Sequence, residues 1–145
     1  MIDLTLDCAN AKRLAEFWKL ALGYEDEPPP PPFRTREEWA ASFGPPEQDE
    51  GDGAWLQDPA GVGPRLSLLE VPEPKVAKNR LHMDLRVPGG WAGVRAKVAE
   101  LEKAGGTVLY EYPDHHVTMA DPEGNEFCVA QQLAQSPSPS PSPER

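Results

Sequence analysis

The chain has 145 residues, of which 39% are hydrophobic, and a formal net charge of −10 at pH 7. This length supports one domain that buries its core without disulfides or a structural metal. The negative charge excludes the usual surfaces for nucleic acid and for anionic membranes, because both would be repelled. Two cysteines far apart, no signal-like segment and no long apolar run predict free thiols in a cytoplasmic protein.

Residues 2–8, IDLTLDC, alternate apolar and polar side chains, which predicts a half-buried strand with Asp3, Thr5 and Asp7 on its polar face. Asn10 is a predicted N-cap, and Gly23 is a predicted helix stop. The helix between them has apolar residues at helical spacing: Leu14, Phe17, Trp18, Ala21 and Leu22. The chain therefore opens with a strand and an amphipathic helix.

Three further strands are predicted near residues 24–27, 54–57 and 65–71. Between the first two, PPPPP at 28–32 predicts a stiff polyproline crossing. Thr35-Arg36-Glu37-Glu38 is a capping-box pattern that predicts a short inserted helix near 35–44. We consider two roles for this helix, a lid over a cleft and a patch that covers one edge of a sheet.

The same order returns in the second half of the chain. Residues 81–87, LHMDLRV, form an alternating strand with His82, Asp84 and Arg86 on the polar face. A helix from about Trp91 to Ala104 follows, and then the three predicted strands TVLYEY, HHVTMA and NEFCVA. The turns Asp58-Pro59-Ala60-Gly61 and Asp121-Pro122-Glu123-Gly124 occupy equivalent places.

The sequence thus predicts an α+β fold of two βαβββ modules, module one over 1–73 and module two over 80–132. Together they form a single domain over residues 1–132, in which a curled mixed sheet surrounds one cleft. Module one carries about sixteen extra residues, which include the inserted helix. Residues 133–145, rich in Ser and Pro, are predicted to be a disordered tail.

The paired modules with Asp-Pro-x-Gly turns resemble the vicinal oxygen chelate superfamily, which includes glyoxalase I, extradiol dioxygenases and bleomycin-resistance proteins. The stretches DPAGVGPRLSLLEVPEPKVAKNRLHMDL and MADPEGNEFCV are most similar to bacterial glyoxalase-like domain proteins. The resemblance implies a central cleft and, in many members, a divalent metal held by His and Glu from four strands.

The resemblance also allows each ligand position to be tested. Asp3 falls where glyoxalase I has a histidine, and His82 matches the first-strand histidine of the second module. Cys128 falls where the family has its ligand glutamate, and the fourth position is Leu69 or Ser67. Only His82 keeps the family residue, so we expect no obligatory metal or other cofactor. A zinc site of Asp3, His82 and Cys128 is kept as the alternative.

Alternation places His82, Asp84 and Arg86 across the cleft from Asp3, Thr5 and Asp7. His115 and His116 are adjacent, so only one can point inward, and which one is left open. Trp55 and Trp39 are candidates for an aromatic wall. His82 is the candidate acid or base. The full set of candidate ligand-binding residues is Asp3, Thr5, Asp7, Trp55, Ser67, Leu69, His82, Asp84, Arg86, His116 and Cys128.

Three functions remain open from the sequence. The first is a protein that binds an organic small molecule in its cleft and sequesters it, as the resemblance to resistance proteins implies. The second is a lyase, isomerase or dioxygenase that uses His82 with or without a metal. The third is a structural module that pairs with a second copy through its sheets to form a homodimer.

Overall fold

The structure is a computed structural model that describes residues 1–45 and 52–134. Residues 46–51, which follow the predicted inserted helix, lie outside the described residues, as does the predicted tail from residue 135 onward. Within the described ranges, no helix is both long and apolar enough to cross a membrane.

Module one forms a four-stranded mixed sheet, sheet A, with the order β1-β4-β3-β2. Strand β1 (Asp3–Cys8) runs parallel to β4 (Arg65–Glu70), and β3 (Gly53–Gln57) lies antiparallel between β4 and β2 (Glu25–Asp26). Helix α1 (Ala11–Leu22) follows β1, and helix α2 (Arg36–Ala41) lies between β2 and β3. The inserted helix is therefore present, about one turn shorter than the segment in which it was predicted.

Module two repeats this plan in sheet B, with the order β5-β8-β7-β6. Its strands are β5 (Asp84–Val87), β6 (Thr107–Tyr112), β7 (His116–Ala120) and β8 (Glu126–Gln131), and helix α3 (Gly90–Lys103) follows β5. Strand β5 is parallel to β8, and the other two pairings are antiparallel. The predicted α+β class and the repeated βαβββ order are confirmed, and the described sheets do not close into a barrel.

Two strand predictions were too long. The segment 24–27 is regular only at Glu25–Asp26, and the segment 81–87 becomes a strand only at Asp84. His82 therefore lies in the connection before β5 and not within the strand. Its main-chain neighbour Met83 still accepts a hydrogen bond from the Cys128 amide at 3.0 Å, so the pairing with β8 stops one residue short of His82.

The two long helices have the predicted ends. The Asn10 side chain accepts a hydrogen bond from the Arg13 amide at 2.9 Å, and Gly23 adopts φ 70°, which ends α1. In α3, a side chain at Gly93 would collide with the Pro88 carbonyl, so only glycine permits this helix to begin so close to β5. Both helices cover their sheets with apolar faces, which include Leu14 and Trp18 in α1 and Val94 and Leu101 in α3.

One hydrophobic core joins the two modules. Helix α1 packs against β8 as well as its own sheet, because the ring of Phe127 lies 5.8 Å from that of Phe17 and 5.2 Å from that of Trp18. The Trp18 indole N–H donates to the buried Asp121 carboxylate at 3.1 Å. Lys97 of α3 also donates to the Leu20 carbonyl at 2.7 Å. The single core that the chain length predicts is confirmed.

Candidate functional site

The face of sheet A that points away from α1 carries six predicted site residues. Leu56, Leu66 and Leu68 are buried with α1 in the core, so the residues that alternate with them point the other way. Thr5, Ser67 and Trp55 are direct neighbours across β1, β4 and β3. We call this surface the open face of sheet A, and its predicted members are Asp3, Thr5, Asp7, Trp55, Ser67 and Leu69.

An ion-pair chain crosses one end of this open face. Arg65 binds Asp3 through two nitrogens, at 2.5 and 3.1 Å, and also donates to Glu27 at 2.8 Å. Glu27 in turn accepts a hydrogen bond from Arg36 at 3.1 Å. The hydrogen bonds from Arg65 hold the pKa of Asp3 below its ordinary value. Asp3 is therefore neutralised within its own sheet, and among the described residues it makes no ion pair with His82 or Arg86.

The same chain of ion pairs anchors α2 over sheet A. The Arg36 guanidinium lies between two indole rings, 4.3 Å from the centroid of Trp55 and 5.0 Å from that of Trp39. Its Nη1 atom is buried and has no hydrogen-bond partner among the described residues. Trp39 and Trp55 do form an aromatic wall, but what they enclose is an arginine of the protein itself.

The equivalent open face of sheet B carries four predicted residues, namely Asp84, Arg86, Cys128 and His116. Asp84 lies directly opposite Cys128, whose thiol is 3.7 Å from the Thr118 hydroxyl. His116 stacks on Tyr112 with ring centroids 4.5 Å apart. Of the adjacent histidines, His116 therefore lies in a strand on this face, and His115 lies in the turn before it.

His82 lies in the connection before β5 and not in a strand of either open face. It is exposed, and its Nε2 atom lies 2.8 Å from the Asn79 carbonyl and next to the Lys78 ammonium. The contact with the Asn79 carbonyl joins two residues only three positions apart. No hydrogen bond or ion pair among the described residues joins His82 to Asp3, Asp7 or Arg86.

A groove lies between the modules, bounded by β1, by the connection of residues 72–83 and by the start of β8. Its volume is about 410 Å³. The floor is apolar and includes Leu4, Leu6, Leu66 and Met83. Polar groups surround it, among them Thr5, Asp7, Lys75, Arg80 and Glu126. We call this the inter-module groove, and the connection of residues 72–83 the linker.

Glu126 fixes the linker beside the groove. Its carboxylate accepts a hydrogen bond from the Asn79 amide at 2.9 Å and pairs with Lys75 at 3.3 Å, and the Asn79 side chain also donates to Asn125 at 3.3 Å. Burial raises the pKa of Glu126, but the Asn79 N–H and Lys75 together lower it more, so the net pKa lies below its ordinary value. The groove wall is therefore held by an ionised side chain.

Sequence reasoning missed the groove residues of the linker and also missed Arg65. The alternation that selects Ser67 and Leu69 would also select Arg65, two residues earlier on the same face. No comparable signal marks Lys75 or Arg80, because the linker has no periodicity, whereas the alternation that selects Cys128 would also select Glu126 in β8. A larger cavity of about 910 Å³ lies beside α2, but it adjoins the undescribed residues 46–51, and we assign no site to it.

The family's metal position was tested on the donor set. Within the described residues, no three His, Cys, Asp or Glu side chains are close enough to hold a metal ion. Asp3 is bound by Arg65, His82 faces Asn79, and Cys128 lies on sheet B. The described residues therefore do not bring Asp3, His82 and Cys128 together as a zinc site, and this donor set does not fit the metal that the fold family implies.

The two cysteines are free thiols with different surroundings. Cys8 is buried at the end of β1, and burial together with the charges of Glu123 and Glu70 raises its pKa to about 11. Cys128 is half-buried in the middle of the open face of sheet B. Cys8 is thus a core residue, while Cys128 is accessible from one side.

Comparisons with known proteins identify the fold. FosX, a fosfomycin resistance protein from Listeria monocytogenes in complex with Mn(II) and 1S,2S-dihydroxypropylphosphonic acid, superposes with a TM-score of 0.63 at 9% identity, over 93% of each chain. A glyoxalase/bleomycin resistance protein/dioxygenase family enzyme from Burkholderia phytofirmans superposes at 0.58 with 16% identity, over 91% of this chain and all of the other. A glyoxalase-related enzyme from Fulvimarina pelagi gives 0.60 and 16%, over 91% and 88%.

The search of curated proteins gives no match. The family model described as "Glyoxalase-like domain" matches residues 3–130, which cover both modules. The resemblance inferred from the Asp-Pro-x-Gly turns is thereby confirmed. The chain belongs to the glyoxalase-like domain family.

Proposed function

We propose that the protein binds an organic small molecule in the inter-module groove and that binding needs no metal. The observation that carries this proposal is the groove itself, whose volume of about 410 Å³ combines an apolar floor with a polar rim. Binding sites for small organic molecules commonly have this size and this mixture of surfaces. The open faces of the sheets lack such an enclosed floor, since Asp3, Asp84 and Arg86 are exposed.

The groove's chemistry supports holding a ligand. Leu4, Leu6 and Met83 offer apolar surface, at about 25 cal/mol for each Å² removed from water. Thr5 and Arg80 offer hydrogen-bond donors around it. The ionisable groups of the rim are carboxylates, one lysine and one arginine, which can bind polar groups of a ligand, and we propose sequestration as the role of the groove.

The proposal can be tested by thermal unfolding in a screen of small organic compounds with a chelator present. A ligand at 100 times its dissociation constant should add about 2.7 kcal/mol of stability. Thr5→Trp should abolish the stabilisation, because the new indole would fill the groove from β1. Thr107→Trp is the matched control, since Thr107 is an exposed strand residue that does not line the groove.

Two outcomes would contradict the proposal. A compound that stabilises the Thr5→Trp and Thr107→Trp variants equally would bind elsewhere. A compound that stabilises the protein only after a divalent metal is added would show that binding needs a metal. The competing hypothesis of an enzyme that uses His82 makes its own prediction, because His82→Ala would then abolish turnover, whereas it should leave binding in the groove unchanged.

A further inference from the structure

Three charged side chains of the inter-module groove make no ion pair with any residue that the structure describes. They are Asp7 on β1 and Glu73 and Arg80 on the linker, and all three line the groove. Two other charged groups of the lining, Lys75 and Glu126, neutralise each other at 3.3 Å. The groove therefore offers two carboxylates and one guanidinium, and of the carboxylates only Asp7 lies on a strand, on a different wall from Arg80.

The position of Asp7 explains why it is unpaired. Asp3 and Asp7 lie on the same strand and the same face, four residues apart. Asp3 has Arg65 directly opposite on β4 and is neutralised by it, whereas Asp7 has Leu69 opposite. A leucine cannot compensate a carboxylate, so Asp7 keeps its charge available. Its main chain is held in a sheet, which fixes the direction from which a ligand would meet it.

The main chain on both sides of Arg80 is held by hydrogen bonds. The preceding residue, Asn79, is bound through its amide to Glu126 and through its side chain to Asn125. Three residues later, Met83 accepts a hydrogen bond from Cys128. The backbone around Arg80 is thus tied to β8 and its neighbours, while Arg80 lines the groove and its guanidinium has no ion-pair partner among the described residues.

We propose that the ligand of the groove is an amphiphilic zwitterion, with an ammonium group at Asp7, a carboxylate at Arg80 and an apolar body between them. This inference rests on the proposed function, since it names the class of ligand that the groove takes. Arg80 would bind the carboxylate through paired N–H groups, and Asp7 would accept hydrogen bonds from the ammonium. The apolar body would lie on Leu4, Leu6 and Met83.

The test uses four probes of equal chain length: 8-aminooctanoate as the zwitterion, octylamine as the cation, octanoate as the anion and octanol as the neutral compound. Binding would be measured by NMR titration of the full chain. The zwitterion should bind about tenfold more tightly than either singly charged probe, because each charge-assisted hydrogen bond adds to affinity. A second zwitterion, 6-aminohexanoate, tests whether the separation of the two charges matters.

Two variants test which residue binds the ammonium group of the probe and which binds its carboxylate. Asp7→Asn should weaken the zwitterion and the amine about tenfold and leave octanoate unchanged, whereas Arg80→Gln should weaken the zwitterion and octanoate and leave octylamine unchanged. Glu102→Gln and Arg95→Gln on the exposed face of α3 are the matched controls and should change nothing. All four positions are exposed, so the variants should fold, and a thermal unfolding curve verifies this.

The results separate this inference from the proposed function. Equal affinity for all four probes, lost in Thr5→Trp, would keep the groove as a binding site and overturn the zwitterion. Loss of amine binding in Glu73→Gln instead of Asp7→Asn would overturn the assignment to Asp7, because Glu73 also lines the groove. Failure of every probe, together with an empty compound screen, would overturn the proposed function itself.

Discussion

The two Asp-Pro-x-Gly turns have nearly the same sequence and very different surroundings. In the first turn, Asp58 accepts hydrogen bonds only from its own loop, from the amides of Ala60, Val62 and Gly63 at 2.8–3.1 Å. In the second, Asp121 is buried and accepts from the Glu123 and Asn125 amides, from the Asn125 side chain and from the Trp18 indole of module one. The first turn closes a loop, and the second also joins the modules.

The residue at the variable position completes the difference. Glu123 of the second turn accepts hydrogen bonds from the amides of Ala9 and Asn10, at 2.6 and 3.1 Å, just before α1 begins. A carboxylate at this place satisfies helix-terminal N–H groups and interacts favourably with the helix dipole. Ala60 in the first turn has no such group. A repeated motif can therefore keep its local geometry in both copies while only one copy acquires a role between modules.

The largest effect should follow loss of the buried carboxylate. Asp121→Ala leaves the Trp18 indole N–H and the Asn125 groups without their acceptor inside the core, and each buried unsatisfied donor costs about 1–3 kcal/mol. We expect the free energy of unfolding to fall by about 3 kcal/mol in urea titrations. A loss no greater than that of Asp58→Ala would show that the burial of Asp121 does not make the second turn more important for stability than the first.

A smaller loss should follow Glu123→Ala. This variant removes two charge-assisted hydrogen bonds to the entry of α1 but leaves Asp121 in place, so we expect about 1–2 kcal/mol in the same titration. Ala60→Glu is the matched control, because it places the same carboxylate at the equivalent position of the first turn. Equal shifts of opposite sign would mean that Glu123 acts through its own loop and not through module one.

The contact of Glu126 with the linker should appear as a pH dependence. Because the folded-state pKa of Glu126 lies below its ordinary value of 4.5, its contribution to stability is fully present above pH 4.5 and is lost as the pH falls through the folded-state pKa. The difference in unfolding free energy between the wild type and Glu126→Gln should therefore shrink below pH 4.5. A difference that stays constant to pH 3, like that of Glu102→Gln, would exclude this role.

The smallest effect is expected at the exposed turn. Hydrogen bonds from the Gly63 and Ala60 amides lower the pKa of Asp58, so the loop stabilises the ionised carboxylate. Because the turn is exposed, water can accept these hydrogen bonds when the carboxylate is removed. Asp58→Ala should lower the melting temperature slightly, and the loss should begin to shrink as the pH falls below 3.8, because the folded-state pKa of Asp58 lies below that ordinary value. Calorimetry at pH 7 and pH 3 would measure both. A loss that is no smaller at pH 3 than at pH 7 would contradict the assignment to the ionised group.

The sequence was sufficient for the repeat, the sheets and the faces of β1 and β4, because all of these depend on periodicity. Asp3, Thr5 and Asp7 were placed on one face of β1 correctly, since a strand reverses its side chains at every residue. It was not sufficient for partners across strands: that Asp3 meets Arg65 and Asp7 meets Leu69 depends on register, which a single strand does not encode.

The misplacement of His82 has a different cause. Alternation in LHMDLRV predicts a strand from Leu81, but the linker forms local hydrogen bonds around Asn79 that compete with sheet pairing. The groove could not be predicted for the same reason, since Lys75 and Arg80 are brought to it by the path of the linker. That path is fixed by Glu126, which lies in β8, fifty-one positions after Lys75.

The packing of Trp18 and Phe17 against Phe127 makes the folding of the two modules interdependent. Helix α1 has no complete apolar surface to cover until β8 is in place, so module one cannot finish its core while only its own strands exist. The two repeats have thereby lost their independence as folding units and should unfold in one cooperative transition. A chain cut in the exposed linker at Val76 would give two halves that acquire structure only by associating with each other.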